Sequence, residues 1–307
     1  MGILQRSRWP VRLAASAALA LGLAGTVLAG SPLARSRVTG SPVAGLTFDR
    51  RVAAFWGGGG GSSPAQVAGL SAVTQVAAGG LHSLALRSDG TVRAWGRNQY
   101  GQLGDGTTAD SETPVQVSGL SQVTSISAGF DASLVTRTRG ITAIPSVWAW
   151  GNNASGQLGD GTLAGHLTPE QVTGITTSFI AGISAGYQFA LVLGTDGSAW
   201  GWGADKSGQL DNAPTSTPVT RPVELTAMNS GITQVSAGYD HALALQSNGT
   251  VLAWGDNTAG ELGDGSTAST VGAVRAAGLS SASQVSAGGR FSLAIFVPPW
   301  ISLTPAP

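Results

Sequence analysis

The sequence predicts an all-β fold, a β-propeller built from four-stranded blades. A small residue followed by Ala-Gly occurs five times, and the steps between the glycines are 50, 57, 52 and 50 residues. A second motif, which ends in Trp-Gly, also occurs five times. A period near 50 residues is typical of repeat proteins, in which neighbouring units bury each other's faces. The glycines of the Ala-Gly motif are Gly79, Gly129, Gly186, Gly238 and Gly288, and the tryptophans of the Trp-Gly motif are Trp56, Trp95, Trp150, Trp202 and Trp254.

One unit, residues 231–279, shows how a blade is predicted to fold. Gln234 to Ala237 and His241 to Leu245 alternate as two short strands around Gly238. Asn248-Gly249 predicts a tight type I′ hairpin turn, after which Thr250 to Trp254 returns as the third strand. Val271 to Val274 is the predicted fourth strand. Four short antiparallel strands per unit favour a propeller blade over a β-helix, whose coils repeat at about 20 residues.

The two ends of the repeat region predict one shared blade. Ser283 to Val297 contains the first two strands of a unit and stops at Pro298, whereas Phe48 to Gly57 contains only a third strand. We therefore expect five blades, with the fifth a composite of both termini that closes the ring and removes open sheet edges. The predicted propeller covers residues 45–297, between a linker at 30–44 and a tail at 298–307.

The first 29 residues are predicted to be an export signal. Arg6, Arg8 and Arg12 precede an apolar stretch, which ends at Val27-Leu28-Ala29 as a signal peptidase prefers. The expected location is therefore secreted or at the cell surface. An uncleaved membrane anchor is the alternative, because the stretch is near the lower limit of the ~17–25 residues that span a bilayer.

Charge and cysteine content exclude several classes of function. The chain has 16 basic and 16 acidic residues. Without the three leader arginines, 13 basic and 16 acidic residues remain, which gives a net charge near −3. This balance does not indicate nucleic-acid binding. The chain has no cysteine, which rules out disulfides, a thiol nucleophile and cysteine-bound metal. We expect a monomer that does not contact the membrane after the signal is removed.

Three motifs resemble catalytic or metal sites, and repeat structure explains each better. Ser184 lies in a G-x-S-x-G pattern but occupies a serine position of the repeat, with no helix after it. His82 and His241 fill a position that is alanine or phenylalanine in other units. The aspartates of the Gly-Asp-Gly loops lack a calcium-loop pattern and favour turns. We therefore predict no catalytic residue, no cofactor and no metal.

The loops after each Trp-Gly word differ between units, while their flanking sequences stay similar. A rigid scaffold with variable loops is typical of binding surfaces. We expect these loops to contact a protein or a component of the cell wall or cell surface. The residues predicted to bind this partner are Arg97, Gln99, Tyr100, Asn153, Asp205, Lys206 and Asp256.

Three consecutive sequence motifs resemble those of a known family. They occupy Ala77 to Leu86, Asp89 to Gly96 and Asn98 to Thr107, and further copies of the last end at Thr162 and Ser266. In this order they resemble the regulator of chromosome condensation repeat family over residues 45–297, which implies a β-propeller. The best-known members have seven blades, whereas the Ala-Gly and Trp-Gly motifs each occur five times in this sequence.

The resemblance leaves three functions open. Nuclear members of the family exchange nucleotide on a small GTPase, and an exported bacterial member inhibits β-lactamases with its propeller loops. The export signal favours a non-enzymatic binding protein of the second kind. The alternatives are a propeller enzyme of the hydrolase or lyase type and an intracellular guanine-nucleotide exchange factor.

Overall fold

The computed structural model describes residues 54–55, 65–138, 145–176, 179–210, 214–226 and 231–296, and the described residues form strands and loops without a helix. The predicted leader, linker and C-terminal tail lie outside these residues. A two-residue strand pair comes first, formed by β1 (Ala54–Phe55) and β2 (Ala65–Gln66). We call it the N-terminal strand pair.

Four antiparallel four-stranded sheets follow, each with its strands in chain order, which confirms the predicted blades. Blade 1 contains β3 (Val73–Ala78), β4 (His82–Arg87), β5 (Val92–Gly96) and β6 (Ser111–Gln116). Blade 2 contains β7 (Val123–Ala128), β8 (Ala132–Arg137), β9 (Ser146–Gly151) and β10 (His166–Gln171). Blade 3 contains β11 (Ile180–Ala185), β12 (Phe189–Gly194), β13 (Ala199–Asp205) and β14 (Thr215–Glu224). Blade 4 contains β15 (Ile232–Ala237), β16 (His241–Gln246), β17 (Val251–Gly255) and β18 (Thr270–Arg275).

A last hairpin, which we call the C-terminal hairpin, pairs β19 (Ala282–Ala287) with β20 (Ser292–Phe296). Its pairing repeats that of the first two strands of each blade, because Ser292 opposes Ala287 as Ser83 opposes Ala78. The unit therefore contributes two strands, as the sequence predicts.

The hairpin turns differ in type from the prediction. In blade 4, Gly249 has φ = 79°, whereas Asn248 is not among the residues with positive φ, so a type I′ turn is wrong. The N–H of Gly249 donates to the Gln246 carbonyl at 2.9 Å, and the N–H of Gln246 donates to the Thr250 carbonyl at 2.9 Å. This is a type I turn closed by a glycine in the left-handed region. The Asn248 side chain instead accepts the N–H of Thr250 at 2.9 Å.

Neighbouring blades are joined by buried tryptophans. The indole Nε1 atoms of Trp150, Trp202 and Trp254 each donate to a glutamine carbonyl of the preceding blade at 2.9 Å. All three indoles are fully buried. The apolar cores lie between adjacent sheets; one core, for example, contains Leu84 of blade 1 with Ile126 of blade 2. Each blade therefore buries its face only against its neighbours.

The Ala-Gly glycines form a close inner tier. A Cβ atom on Gly129 would lie 2.6 Å from the Gly186 carbonyl oxygen, and one on Gly186 would lie 2.6 Å from that of Gly238. Only glycine allows consecutive blades to approach so closely at the axis. Below this tier, the first strands of blades 1 to 4 surround a central cavity of about 270 Å³.

The described strands form an open series, with an apolar side chain exposed at each end. Val76 of blade 1 is 52% exposed, while its counterpart Ile126 in blade 2 is 3% exposed. Leu293 and Ile295 of the C-terminal hairpin are 53% and 61% exposed. The N-terminal strand pair and the C-terminal hairpin are separate sheets among the described residues, so ring closure by a composite blade stays a prediction.

Candidate binding face

Two kinds of segment meet at the same end of every blade, because antiparallel strands alternate in direction. They are the Ala-Gly turns between the first and second strands and the long loops after the third strand. We call this end the loop face. Its described turns are residues 79–81, 129–131, 186–188, 238–240 and 288–291, and its loops are 97–110, 152–165, 206–214 (without 211–213) and 256–269.

A buried asparagine organises each long loop of blades 1, 2 and 4. In blade 2, Asn153 accepts the N–H of Leu158 at 3.0 Å and donates to the Ala164 carbonyl at 2.9 Å and to Asp160 at 3.2 Å. Asn98 and Asn257 make the same set of bonds in their own loops. The loop frame is thus built around one amide, whose donors and acceptor are all used.

The structure places the seven predicted contact residues in two groups. Asn153 and Asp205 are each 1% exposed. Asp205 takes the place of the asparagine in blade 3 and accepts the N–H of Leu210 at 2.9 Å. Both side chains hold their loops together, so they are removed from the set that a partner can reach. The other five lie at the surface of the loop face: Arg97, Gln99, Tyr100, Lys206 and Asp256.

An aromatic cluster that the sequence interpretation does not include lies at the centre of the loop face. Phe130, Tyr187 and Tyr239 each follow the glycine of an Ala-Gly turn, on blades 2, 3 and 4. The rings of Tyr187 and Tyr239 stack with centroids 3.9 Å apart, and Phe130 meets Tyr187 edge-on at 4.7 Å. Phe130 and Tyr239 are 36% and 37% exposed. We call these three residues the rim aromatics; their common position after Ala-Gly is the signal that could have identified them.

Backbone hydrogen bonds hold the rim aromatics in place. The N–H of Tyr187 donates to the Gly238 carbonyl at 3.1 Å, and that of Tyr239 donates to the Gly288 carbonyl at 3.2 Å. The N–H of Phe130 donates to the Gly186 carbonyl at 3.3 Å. Each ring is therefore anchored to the next blade as well as to its own.

Two carboxylates flank the rim aromatics at equivalent positions. Burial raises the pKa of Asp131, an effect that the nearby Arg97 partly offsets. Burial and the neighbouring Asp256 raise the pKa of Asp240, against the effect of Lys206 and Arg290. A hydrogen bond to Tyr187, together with burial, raises the pKa of Tyr239 to about 12, so this phenol stays protonated near neutral pH.

Comparison with known proteins identifies the family. The RCC1-like domain family matches residues 56–297, which is most of the chain. The chain belongs to the RCC1-like domain family. Its relatives include the ultraviolet-B receptor UVR8 of Arabidopsis thaliana, 32% identical over 63% of this chain and 43% of the receptor. Human E3 ubiquitin-protein ligase HERC2 is 29% identical over 64% of this chain and 4% of the ligase. The RCC1-like chain thus spans less than half of the length of these relatives.

Solved structures show the same fold. Yeast RCC1 (Prp20), in a crystal structure with Kap60, superimposes with a TM-score of 0.68 at 24% identity, over 78% of this chain and 58% of that one. Human WBSCR16 superimposes with a TM-score of 0.66 at 22% identity, over 77% and 60% of the two chains. At this level of identity the likeness establishes a β-propeller fold for the RCC1-like chain.

The histidines and the G-x-S-x-G serine of this RCC1-like domain have structural contacts. His82 is buried and bonds Ser133 of the next blade, with 2.9 Å between Nε2 and Oγ. Burial lowers the pKa of His82 to about 4. The Ser184 hydroxyl accepts the N–H of Ala237 in the next blade at 2.9 Å, as Ser127 does from Ala185 at 3.0 Å. Ser236 accepts the N–H of Ala287 in the same way at 2.9 Å. These bonds account for the serine at this position in blades 2 to 4, whereas blade 1 has Ala77.

His166 pairs with Asp160 at 2.7 Å inside the blade 2 loop. Burial alone would raise the pKa of Asp160, but hydrogen bonds from His166 and Thr162 outweigh it and lower the pKa. Within the described residues, no group of three or more His, Asp or Glu side chains is arranged to hold a metal ion. The part of the chain that the structure describes also has no helix long and apolar enough to cross a membrane.

Proposed function

We propose that this RCC1-like domain is an exported, non-enzymatic binding module that holds a protein or cell-surface partner on its loop face. The rim aromatics carry the proposal: three neighbouring blades place aromatic rings together at the surface, where Phe130 and Tyr239 are partly exposed. Aromatic residues and arginine are the types that contribute most to protein–protein binding energy. Arg97, Tyr100 and Arg290 lie on the same face.

Rigidity supports the same conclusion. The rim aromatics stand on turns that are hydrogen-bonded to the next blade, and the ring of Phe130 lies against Gly80, where a Cβ atom would come within 2.6 Å of it. A preorganised surface loses little conformational entropy on binding. The loop face therefore combines a fixed aromatic centre with surrounding loops that differ in sequence.

The relatives do not supply the partner. Prp20p from Saccharomyces cerevisiae binds Gsp1p and histones, but 24% identity to that protein carries the fold alone. The ligase activity named for HERC2 belongs to a protein of which the match covers 4%.

A paired substitution tests the proposed function. Phe130→Ala with Tyr239→Ala removes two exposed rings from the loop face, and Phe179→Ala removes an exposed ring from the opposite end as the matched control. Each protein is immobilised and used to capture binders from culture medium and from a cell-wall extract of the producing organism. We expect a partner that the wild type and the control retain and the double variant loses. A partner retained equally by all three proteins, or no retained partner, would contradict the proposal.

Export has its own test. Intact-mass analysis of the secreted fraction should show a mature chain that begins at Gly30, because Val27-Leu28-Ala29 matches a cleavage site. A cell-associated chain that retains residues 1–29 would contradict export while leaving the binding proposal open to its separate test.

A further inference from the structure

A small apolar cavity opens at the centre of the loop face. It has a volume of about 80 Å³ and is lined by the five Ala-Gly turns, including the rim aromatics and the bare glycines Gly80 and Gly289. The lining contains no charged side chain. Several backbone N–H and carbonyl groups of its wall bond each other between blades, as Tyr187 N–H does with the Gly238 carbonyl. The cavity therefore offers an occupant an apolar surface.

The cavity opens to solvent and provides a space of about 80 Å³, which has room for several water molecules. An aliphatic side chain of three or four carbon atoms, as in valine, leucine or isoleucine, fits into this space. Such a side chain matches the apolar lining and leaves no polar group of its own without a partner.

The charge of the loop face indicates which residues flank the apolar side chain in a bound segment. Among the described residues, seven acidic side chains but only three basic ones reach the surface in the turns and loops of this face. The carboxylates of Asp131 and Asp240 stand beside the rim aromatics. Arg97 lies near Asp131, and Lys206 and Arg290 lie near Asp240, but within the described residues no basic nitrogen comes within 4 Å of either carboxylate. Each instead accepts a hydrogen bond from a glutamine, at 3.4 Å from Gln102 and 3.2 Å from Gln209. The acidic residues are Asp105, Asp110, Asp131, Asp160, Asp240, Asp256 and Asp264, and the basic ones are Arg97, Lys206 and Arg290.

We propose that the loop face binds a protein segment that inserts one aliphatic side chain into the axial cavity and places lysine or arginine residues against Asp131 and Asp240. This inference rests on the proposed function and specifies the chemistry of the partner. The aliphatic group displaces water from a cavity with few polar groups to bind it. The flanking cations meet carboxylates that no basic nitrogen of the described residues approaches within 4 Å.

A peptide library tests the proposal even while the natural partner is unidentified. Random nine-residue loops displayed on phage are selected on the immobilised wild-type protein. We expect enrichment of loops in which valine, leucine or isoleucine is flanked by lysine or arginine. Two variants are selected in parallel. Gly289→Leu fills the cavity, where a Cβ atom meets nothing within 4 Å, and Gly272→Leu makes the same change in open space on the outer strand of blade 4. Enrichment should disappear with Gly289→Leu and persist with Gly272→Leu.

Synthetic loops from the selection then separate the two parts of the recognition. Replacing the aliphatic residue by alanine should weaken binding at least tenfold, because two or three buried carbon groups are lost. Asp131→Asn with Asp240→Asn should weaken it by a similar factor and reduce its salt dependence, whereas Glu170→Gln on an exposed outer strand should do neither.

Three results would overturn the inference: enrichment of acidic or aromatic loops, equal enrichment on Gly289→Leu, or no enriched loop on the wild-type protein. None of them affects the capture experiment with the Phe130/Tyr239 double variant. A captured partner that depends on the rim aromatics but carries no aliphatic and basic segment would preserve the proposed function and reject this recognition chemistry.

Discussion

His82 of blade 1 and Ser133 of blade 2 form a hydrogen bond across the blade interface, with 2.9 Å between Nε2 and Oγ. His241 and Ser292 repeat this contact at 3.1 Å. At the interface between blades 3 and 4, Phe189 takes the place of the histidine and packs in a core with Ala242, which takes the place of the serine. Between blades 2 and 3 the same two places are taken by Ala132 and Ala190, which lie in one core. The repeat thus accepts a polar pair or an apolar pair at one position.

The first prediction concerns pH. Burial lowers the pKa of His82 to about 4 in the folded protein, below the 6.5 of an exposed histidine. Neutral His82 therefore contributes stability that is fully present above pH 6.5 and is lost as the pH falls towards 4, by about 3 kcal/mol at most. His82→Phe with Ser133→Ala copies the blade 3–4 pair and should remove this part of the pH dependence. Urea unfolding from pH 7 to pH 4 measures it, and an unchanged pH profile in the double variant would refute the assignment.

The second prediction concerns the contact between a loop glycine and a tryptophan. Gly159 has φ = 68°, and a Cβ atom there would lie 2.7 Å from Nε1 of Trp202. Gly260, in the blade 4 loop, has φ = 82°, and a Cβ atom on Gly260 would have no atom within 4 Å. Gly260→Ala should cost about 1–2 kcal/mol for the backbone alone. Gly159→Ala should cost about 1–3 kcal/mol more, because the buried indole must move. Equal losses in urea unfolding would show that the indole contact is unimportant.

The blades could be predicted from sequence because their signals are local. Each unit contains its own turn glycines, its own alternating strands and its own Trp-Gly motif. The period of the repeat then indicates that the units stack. The rim aromatics could not be predicted in this way, since Phe130, Tyr187 and Tyr239 are 57 and 52 residues apart and meet only where the inner strands converge. Variation between loops predicts exposed side chains, and this is wrong for Asn153 because the loop folds around its amide.

The third prediction separates structural from binding residues in the blade 2 loop. Asn153→Asp replaces an amide that donates to the Ala164 carbonyl and to Asp160 by a carboxylate that can donate to neither. We expect a loss of about 1–3 kcal/mol of folding free energy. Its neighbour Asn152 is the matched control, because its Oδ1 atom only accepts the N–H of Ala154 and an aspartate can do the same. Thermal unfolding of Asn153→Asp and Asn152→Asp compares them, and equal melting temperatures would contradict the structural role of Asn153.

The fourth prediction is that the C-terminal hairpin and the N-terminal strand pair complete one blade. The N-terminal strand pair has the register of the outer strands of blade 1: Ala54 opposes Gln66, as Arg93 opposes Gln116. The C-terminal hairpin has the register of the inner strands, and Ala294 is the counterpart of Ala85. Since Ala85 opposes Arg93 in blade 1, Ala294 is expected to oppose Ala54 in the composite blade.

A disulfide tests this register directly, because the chain has no cysteine of its own. Ala54→Cys with Ala294→Cys should form a cross-link on mild oxidation, since directly opposed residues of an antiparallel pair have Cβ atoms about 4.5–5.5 Å apart. The cross-linked protein should run as a monomer, and closing a loop of this length should raise its melting temperature. Ala54→Cys with Ser292→Cys, two positions out of register along the strand, is the matched control and should cross-link much more slowly. A cross-linked dimer would show that the open end faces pair between two chains, and equal rates for the two cysteine pairs would show that no fixed register exists.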